Sequence, residues 1–149
     1  MYAPHAVTIY NVFIEVDPNT LKETTKNYIT VLNGVFLDED KGANVRDSGL
    51  VSADAATLYI PFSVSAVDGL DGHEKHFAPW HEFIKAENKN DLWTLDVGSN
   101  TYFVRGVVVE EDVTVSTLEM TTSNVYKVSK VDAKNYGSRS MQHWEVGGV

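Results

Sequence analysis

The chain has 149 residues, no cysteine, and 12 Lys and Arg against 21 Asp and Glu, for a net charge of −9. That length fits one domain spanning 1–149, and 43% hydrophobic with 22% charged residues argues against wholesale disorder. So acidic a surface excludes wrapping phosphates over its whole extent. The missing cysteines exclude disulfide scaffolds, thiolate zinc sites, iron–sulfur clusters and cysteine nucleophiles.

From the N-terminus, Met1 to His5 lacks the basic and apolar regions of a signal peptide. No apolar run approaches the ~20 residues that a membrane span needs. The expectation is a soluble, intracellular, β-rich domain. Ala6 to Val16 is rich in β-branched and aromatic residues on both faces, the pattern of a strand buried on two sides. Asp17-Pro18-Asn19 is a turn. A second strand runs from Thr25 to Leu37, interrupted at Asn33-Gly34 by a hairpin turn or a bulge. Asp38 to Ala56 reads as a loop. Thr57 to Val64 puts Leu58, Ile60, Phe62 and Val64 on one face, and Pro61 within it predicts an edge or a bulge. Val67 to Lys75 reads as a mobile loop.

The one helix signal is Pro79 followed by Trp80, Phe83 and Ile84 at i, i+3 and i+4, which predicts a short helix from Pro79 to about Lys85. Leu92 to Leu95 and Thr101 to Val109 read as strands, with Gly106 a bulge or close approach. Glu110-Glu111-Asp112 reads as a solvated acidic strand end rather than a calcium loop. Val115 to Thr122 fits a helical turn or irregular chain. Val125 to Val131 and Met141 to Val146 form a last strand pair. With no βαβ alternation, the sum is an all-β fold, a small antiparallel β-barrel or sandwich with one short helix and long loops.

Chemistry is harder to find. His73-Glu74-Lys75-His76 and His81-Glu82 each begin a zincin-like pattern, and neither places a second histidine at i+4. A metal-dependent hydrolase using His73, His76, His81 and Glu82 is therefore the weaker alternative. No nucleophile elbow and no phosphate loop occurs, and no cofactor is expected. Lys127, Lys130, Lys134 and Arg139 alternate with Tyr126, Tyr136 and Trp144, a pattern a DNA-facing patch would show; solvated strand faces explain it as well.

The ending Met141-Gln142-His143-Trp144-Glu145-Val146-Gly147-Gly148 follows Tyr126 to Asp132 and Asn135-Tyr136-Gly137-Ser138. With Asp47-Ser48-Gly49-Leu50, Ser52-Ala53-Asp54, Ile60-Pro61-Phe62, Asp91 to Leu95 and Val104-Arg105-Gly106, it resembles small proteins of the head–tail module of tailed bacteriophages and prophages. The likeness covers Asp47 to Val149, roughly two-thirds of the chain, and does not include the histidine-rich stretch Gly69 to His81.

The resemblance implies a minor capsid, head-completion or stopper-type protein of the head–tail connector. It would be a β-barrel assembling as a homo-oligomeric ring around the DNA exit channel, without enzymatic residues. Its partners would be itself, the portal or adaptor and tail proteins, and phage DNA passing without sequence-specific binding. It would have no membrane, and would reside in the virion neck and, during assembly, the host cytoplasm. The expected assembly residues are Trp144, as anchor unless it closes the subunit's own core instead, with His143, Glu145, Tyr136, Arg139, Asp47 and Asp54. The loops Asp38 to Ala56 and Val67 to His76 are expected to carry contacts and to order on assembly. A tail-associated binding module is the other alternative. Large aromatics such as Trp80 and Trp93 are expected to be core or helix-docking residues.

Overall fold

The computed structural model describes residues 3–39, 56–97, 100–109 and 125–149. Along them run β1 (His5–Val16), β2 (Glu23–Glu39), β3 (Ala56–Pro61), β4 (Ser65–Asp68), β5 (His76–Phe77), α1 (Trp80–Phe83), β6 (Leu92–Trp93), β7 (Thr101–Arg105), β8 (Val125–Lys134) and β9 (His143–Gly148). The sheet order β1-β7-β8-β9-β3-β2 closes on itself through β1–β2 pairing, giving a six-stranded antiparallel barrel. The all-β expectation is met as a barrel, not a sandwich.

Side chains alternate across the wall. Val7 and Ile9 of β1, Leu58 and Ile60 of β3, Phe103 of β7 and Val146 of β9 point into one continuous core. The core's other large member, Trp93, belongs to a segment that closes one mouth. β5 and β6 pair in parallel, and α1 between them lays Phe83 edge-on against Tyr28, with ring centroids 5.6 Å apart. α1 covers only Trp80–Phe83, with Pro79 as its N-cap in extended backbone rather than as its first residue, so it is shorter than the expected Pro79 to Lys85. Trp93 is buried as expected, and Trp80 stacks on Phe83 at 5.9 Å.

The two-sided burial expected of β1 holds over Val7 to Asn11. Its outer face there is covered by residues 107–109. Gly106, at φ 80°, turns the chain back after β7, so this strand ends at Arg105 and not at Val109. Thr8 Oγ1 donates to the Gly106 carbonyl at 2.8 Å and accepts from Val108 N–H at 3.0 Å, and the Tyr10 hydroxyl donates to the Val108 carbonyl. At Ile14 and Val16 the expectation fails: both are more than half exposed.

Asn33-Gly34 is a bulge, not a hairpin. Gly34 sits at φ 87°, and the β1 register skips it, from His5↔Val35 to Ala6↔Asn33. Pro61 lies at neither an edge nor a bulge. β3 is flanked by β2 and β9, and Pro61 is its last residue, where a turn closes with Val64 N–H on the Pro61 carbonyl at 3.0 Å. The 67–75 region, expected as a mobile loop, is a hydrogen-bonded return. Val67 bridges Glu74, and Asp68 N–H donates to the His73 carbonyl at 2.7 Å. The loop expected from Asp38 to Ala56 lies mostly outside the described residues, as do Glu110 to Asp112 and Val115 to Thr122.

β9 pairs with β3 on one edge and β8 on the other. Gly148 is tight against the core, because a Cβ there would stand 2.5 Å from Phe103 Cζ. A strand bonded on both edges cannot be removed without opening the barrel. Deleting residues 141–149 is expected to abolish the cooperative thermal transition and the near-ultraviolet circular dichroism of buried Trp93. A folded monomer after deletion would contradict this.

Candidate functional site

β1 and β2 are longer than their neighbours. The β1–β7 register ends at Asn11↔Thr101, and the β2–β4 register ends at Thr30↔Asp68. Past the flanking bonds of Val12 N–H on the Asn100 carbonyl at 2.8 Å and Gly69 N–H on the Ile29 carbonyl at 3.0 Å, the two strands pair with each other alone among the described residues, and residues 14–26 are all exposed. The result is a two-stranded arm. Its tip is closed by Asp17 N–H on the Lys22 carbonyl at 3.0 Å and Leu21 N–H on the Asp17 carbonyl at 2.8 Å. Leu21 has φ 56°, the only positive φ at a non-glycine among the described residues, and its side chain is 77% exposed.

A free two-stranded ribbon is marginal in water, so the base of the arm matters. Tyr28 is held there between Phe83, the Lys26 ammonium 4.8 Å from its ring centre, and Glu15 Oε1 at 3.3 Å from its hydroxyl. Burial and then the Glu15 carboxylate push the Tyr28 phenol up to about 12. On the other strand, the Lys89 ammonium stands 4.7 Å over the Phe13 ring.

Beside the arm base is a cavity of about 300 Å³ lined by Tyr28, Asn27, Asp68, His73 and Asn90 among others. Its wall is a charge clamp. Lys75 is fully buried at its side chain. Its Nζ donates to the Ile29 carbonyl and Thr30 Oγ1, both at 3.1 Å, and lies 3.2 Å from Asp68 Oδ1. Desolvation pulls the Lys75 ammonium below its ordinary value against the opposing pull of Asp68. His73 bonds Asp71 through Nδ1, while Nε2 lies 2.8 Å from the Asn90 carbonyl and 3.1 Å from Asp91 Oδ1. All these partners are acceptors, so only the imidazolium, with two N–H groups, satisfies both ring nitrogens. The Asp71 contact first, and then the Asn90 carbonyl, raises the His73 imidazole above its ordinary 6.5.

The cluster that the weaker, metal-dependent alternative needs does not assemble among the described residues. Asp68, Asp71 and His73 bring their donor atoms within 4.8 Å of one another, and His76, His81 and Glu82 are not among them. Lys75 already neutralises Asp68, and both nitrogens of His73 are engaged.

The expected assembly residues separate into two groups. Trp144 points inward against Phe62, Phe77 and Trp93, with centroids 4.4, 4.6 and 5.6 Å away, so its ring is part of the subunit's own aromatic core. His143 and Glu145 pair at 3.2 Å on the outer side of β9. Tyr136 and Arg139 lie in the exposed connection between β8 and β9, beside exposed Met141. Asp47 and Asp54 lie outside the described residues. The alternating basic and aromatic pattern does not form one stacking face. Tyr126 packs on Phe103 at 5.2 Å and its hydroxyl bonds Glu39, Trp144 is inward, and of the three rings Tyr136 alone is exposed.

Ile14, Val16 and Leu21 were not singled out as functional by the sequence. Their signal was apolar residues continuing up to a Pro-Asn turn with nothing left to cover them. Nothing in the sequence marks Lys75 as buried.

Two outcomes follow from the clamp. Lys75→Met leaves Asp68 without its cation and is expected to destabilise the fold by about 3–5 kcal/mol in denaturant unfolding; a loss under 1 kcal/mol would contradict the pairing. For His73, a raised folded pKa means its contribution is complete below 6.5 and fades as pH rises through the folded value. The Asp71 carboxyl is lowered from 3.8, first by the His73 backbone N–H, so its contribution is complete above 3.8 and fades as pH falls through the folded value. The difference in Tm between the wild type and His73→Gln is expected to be greatest between those two pH values. A difference that grows above pH 7 would refute the clamp.

No curated protein and no solved structure matched the chain. A family model did, over residues 2–149, and its description is a family of unknown function, DUF6751. Since the match runs from the first strand through the arm, the clamp and β9, the chain belongs to the DUF6751 family.

Proposed function

We propose that this protein is a structural component of a tailed-phage neck. It would be a head-completion or stopper-type subunit that forms a homo-oligomeric ring around the DNA channel, with the portal or adaptor on one side and the tail on the other. The observation that carries this reading is the projecting arm. A closed barrel has no sheet edge to offer a neighbour, yet β1 and β2 run past the wall and hold Ile14, Val16 and Leu21 in water. Exposed apolar side chains on a protruding ribbon cost solubility and mark an interaction surface.

The charge supports the same reading. A net charge of −9 keeps a DNA duplex from adhering as it passes, where a basic lining would hold it. DNA is therefore a passenger, not a sequence-specific ligand, and the site of action is the virion, reached from the host cytoplasm during assembly.

A tail-associated binding module is the rival with an observation behind it. A cleft of about 480 Å³ opens beside Phe62, Phe77 and Trp144, rimmed by Ser63, Glu74 and His76. Electron microscopy of particles made with and without the protein separates the two. Filled heads lacking tails, or heads that leak DNA, are the expected result of its removal. Normal tailed particles that fail only to adsorb would favour the binding module, and infectious virions would end both readings.

A further inference from the structure

We propose that the tip of the β1–β2 arm of one copy docks on the connection between β8 and β9 of the next copy, as the repeating contact of the ring. This rests on the ring-forming reading and specifies its interface. The two surfaces are complementary and neither matches itself. From residue 14 to 23 the arm tip carries three carboxylates, Glu15, Asp17 and Glu23, against one ammonium, Lys22, around exposed Ile14, Val16 and Leu21. From residue 133 to 142 the β8–β9 connection carries Lys134 and Arg139 and no carboxylate, around Tyr136 and Met141, which are 70% and 58% exposed.

Only charges within contact range act between copies at physiological salt, and like charges brought together there oppose association. Arm against arm juxtaposes like charges. Arm against the β8–β9 connection joins acid to base and apolar to apolar.

Strand direction gives this pairing its geometry. β1 and β8 both run antiparallel to β7, so the β1–β2 turn and the β8–β9 turn leave the barrel at the same mouth. In the barrel order, β7 separates the two strand pairs on one side and β3 on the other. The arm and its counterpart therefore face away from each other across one mouth. Copies placed side by side in one orientation bring them together. Such a contact is heterologous, and it closes into a ring when each step adds a fixed rotation.

Leu21 supplies an independent sign. A leucine in left-handed backbone is disfavoured, and this one is 77% exposed in the subunit. The turn closed by Asp17 and Lys22 sets that left-handed backbone, a position that favours glycine or asparagine, and here it carries a leucine held in water.

The absence of native cysteine makes the test clean. Leu21→Cys and Tyr136→Cys are made singly and together, and treated with a short bis-maleimide. The double variant is expected to give a ladder of covalent oligomers, an equal mixture of the single variants to give dimers only, and each single variant alone to give no product. Lys134→Glu with Arg139→Glu should cut the yield by about tenfold or more at low salt, and Glu23→Lys mixed in should restore part of it. Leu21→Gly, which removes the anchor and relieves the strained φ, should lower oligomerisation while leaving Tm unchanged or higher.

Dimers from Leu21→Cys alone would mean an arm-to-arm contact and overturn the proposal. An absent ladder while the wild type sediments as an oligomer would place the interface elsewhere, overturning this contact and leaving the ring reading intact. An absent ladder with a wild type that stays monomeric also overturns the contact, and the ring reading is then decided by the particle images.

Discussion

Closure of the sheet depends on the change of partners that β2 makes at Gly34. Over Glu23 to Val35 one edge of β2 is taken by β1; past the bulge, Phe36 to Glu39 pair with β3. A straight strand could not leave one neighbour and curve to another within a barrel this small. An extra residue in left-handed conformation bends the strand and increases its twist, and glycine adopts it without steric cost. β3 carries the pairing on to β9, and β8 and β7 return it to β1. The same strand supplies the arm, because its first half outruns the neighbours that its second half recruits.

The mouth beside the arm is held by polar contacts rather than by more core. Asn11 donates from Nδ2 to the Thr94 carbonyl at 2.8 Å and accepts from Thr94 N–H at 3.2 Å, both deep in the fold. Lys75 ties the 66–75 return to β2, donating to the Ile29 carbonyl and Thr30 Oγ1 while pairing with Asp68. Such groups stabilise little beyond what apolar residues would, since desolvation offsets the attraction. What they do is fix position. One arrangement satisfies them, so the segment from β5 to β6 cannot slide, and Phe83 stays against Tyr28 at the foot of the arm.

How far the sequence could be read follows from the same physics. Alternation made Leu58 and Ile60 legible as core, and β-branched runs made the strands legible, because periodicity is local. The two apolar faces of β1 were legible too, but their reason was not. Tyr10 is covered by Val108, 98 residues away in sequence. The apolar residues nearest the turn, Ile14 and Val16, look the same in sequence as those that are covered. Pro61 misled for a related reason. Proline excludes the middle of a central strand, yet tolerates its last position, and the end of β3 is set by the turn to Val64. Among the assembly residues, Tyr136 and Arg139 fell on the surface, while Trp144 turned inward. Alternation told which side of β9 Trp144 shares with Val146, and only the pairing of both edges told that this side is the interior.

Charge links the arm to the body of the protein. Fields between exposed charges fade over ~8 Å at physiological salt, so the excess acidity of one barrel scarcely reaches the next. What decides association is the charge within contact range, where Glu15, Asp17 and Glu23 differ in sign from Lys134 and Arg139. A duplex in a channel is governed by a different range. Its phosphates pass close to whatever lines the lumen, and acidic residues there prevent the counterion release that would make it bind. In the ring proposed above, cohesion between copies would be confined to the place where Lys134 and Arg139 meet Glu15, Asp17 and Glu23, and an acidic lumen would offer none to the duplex.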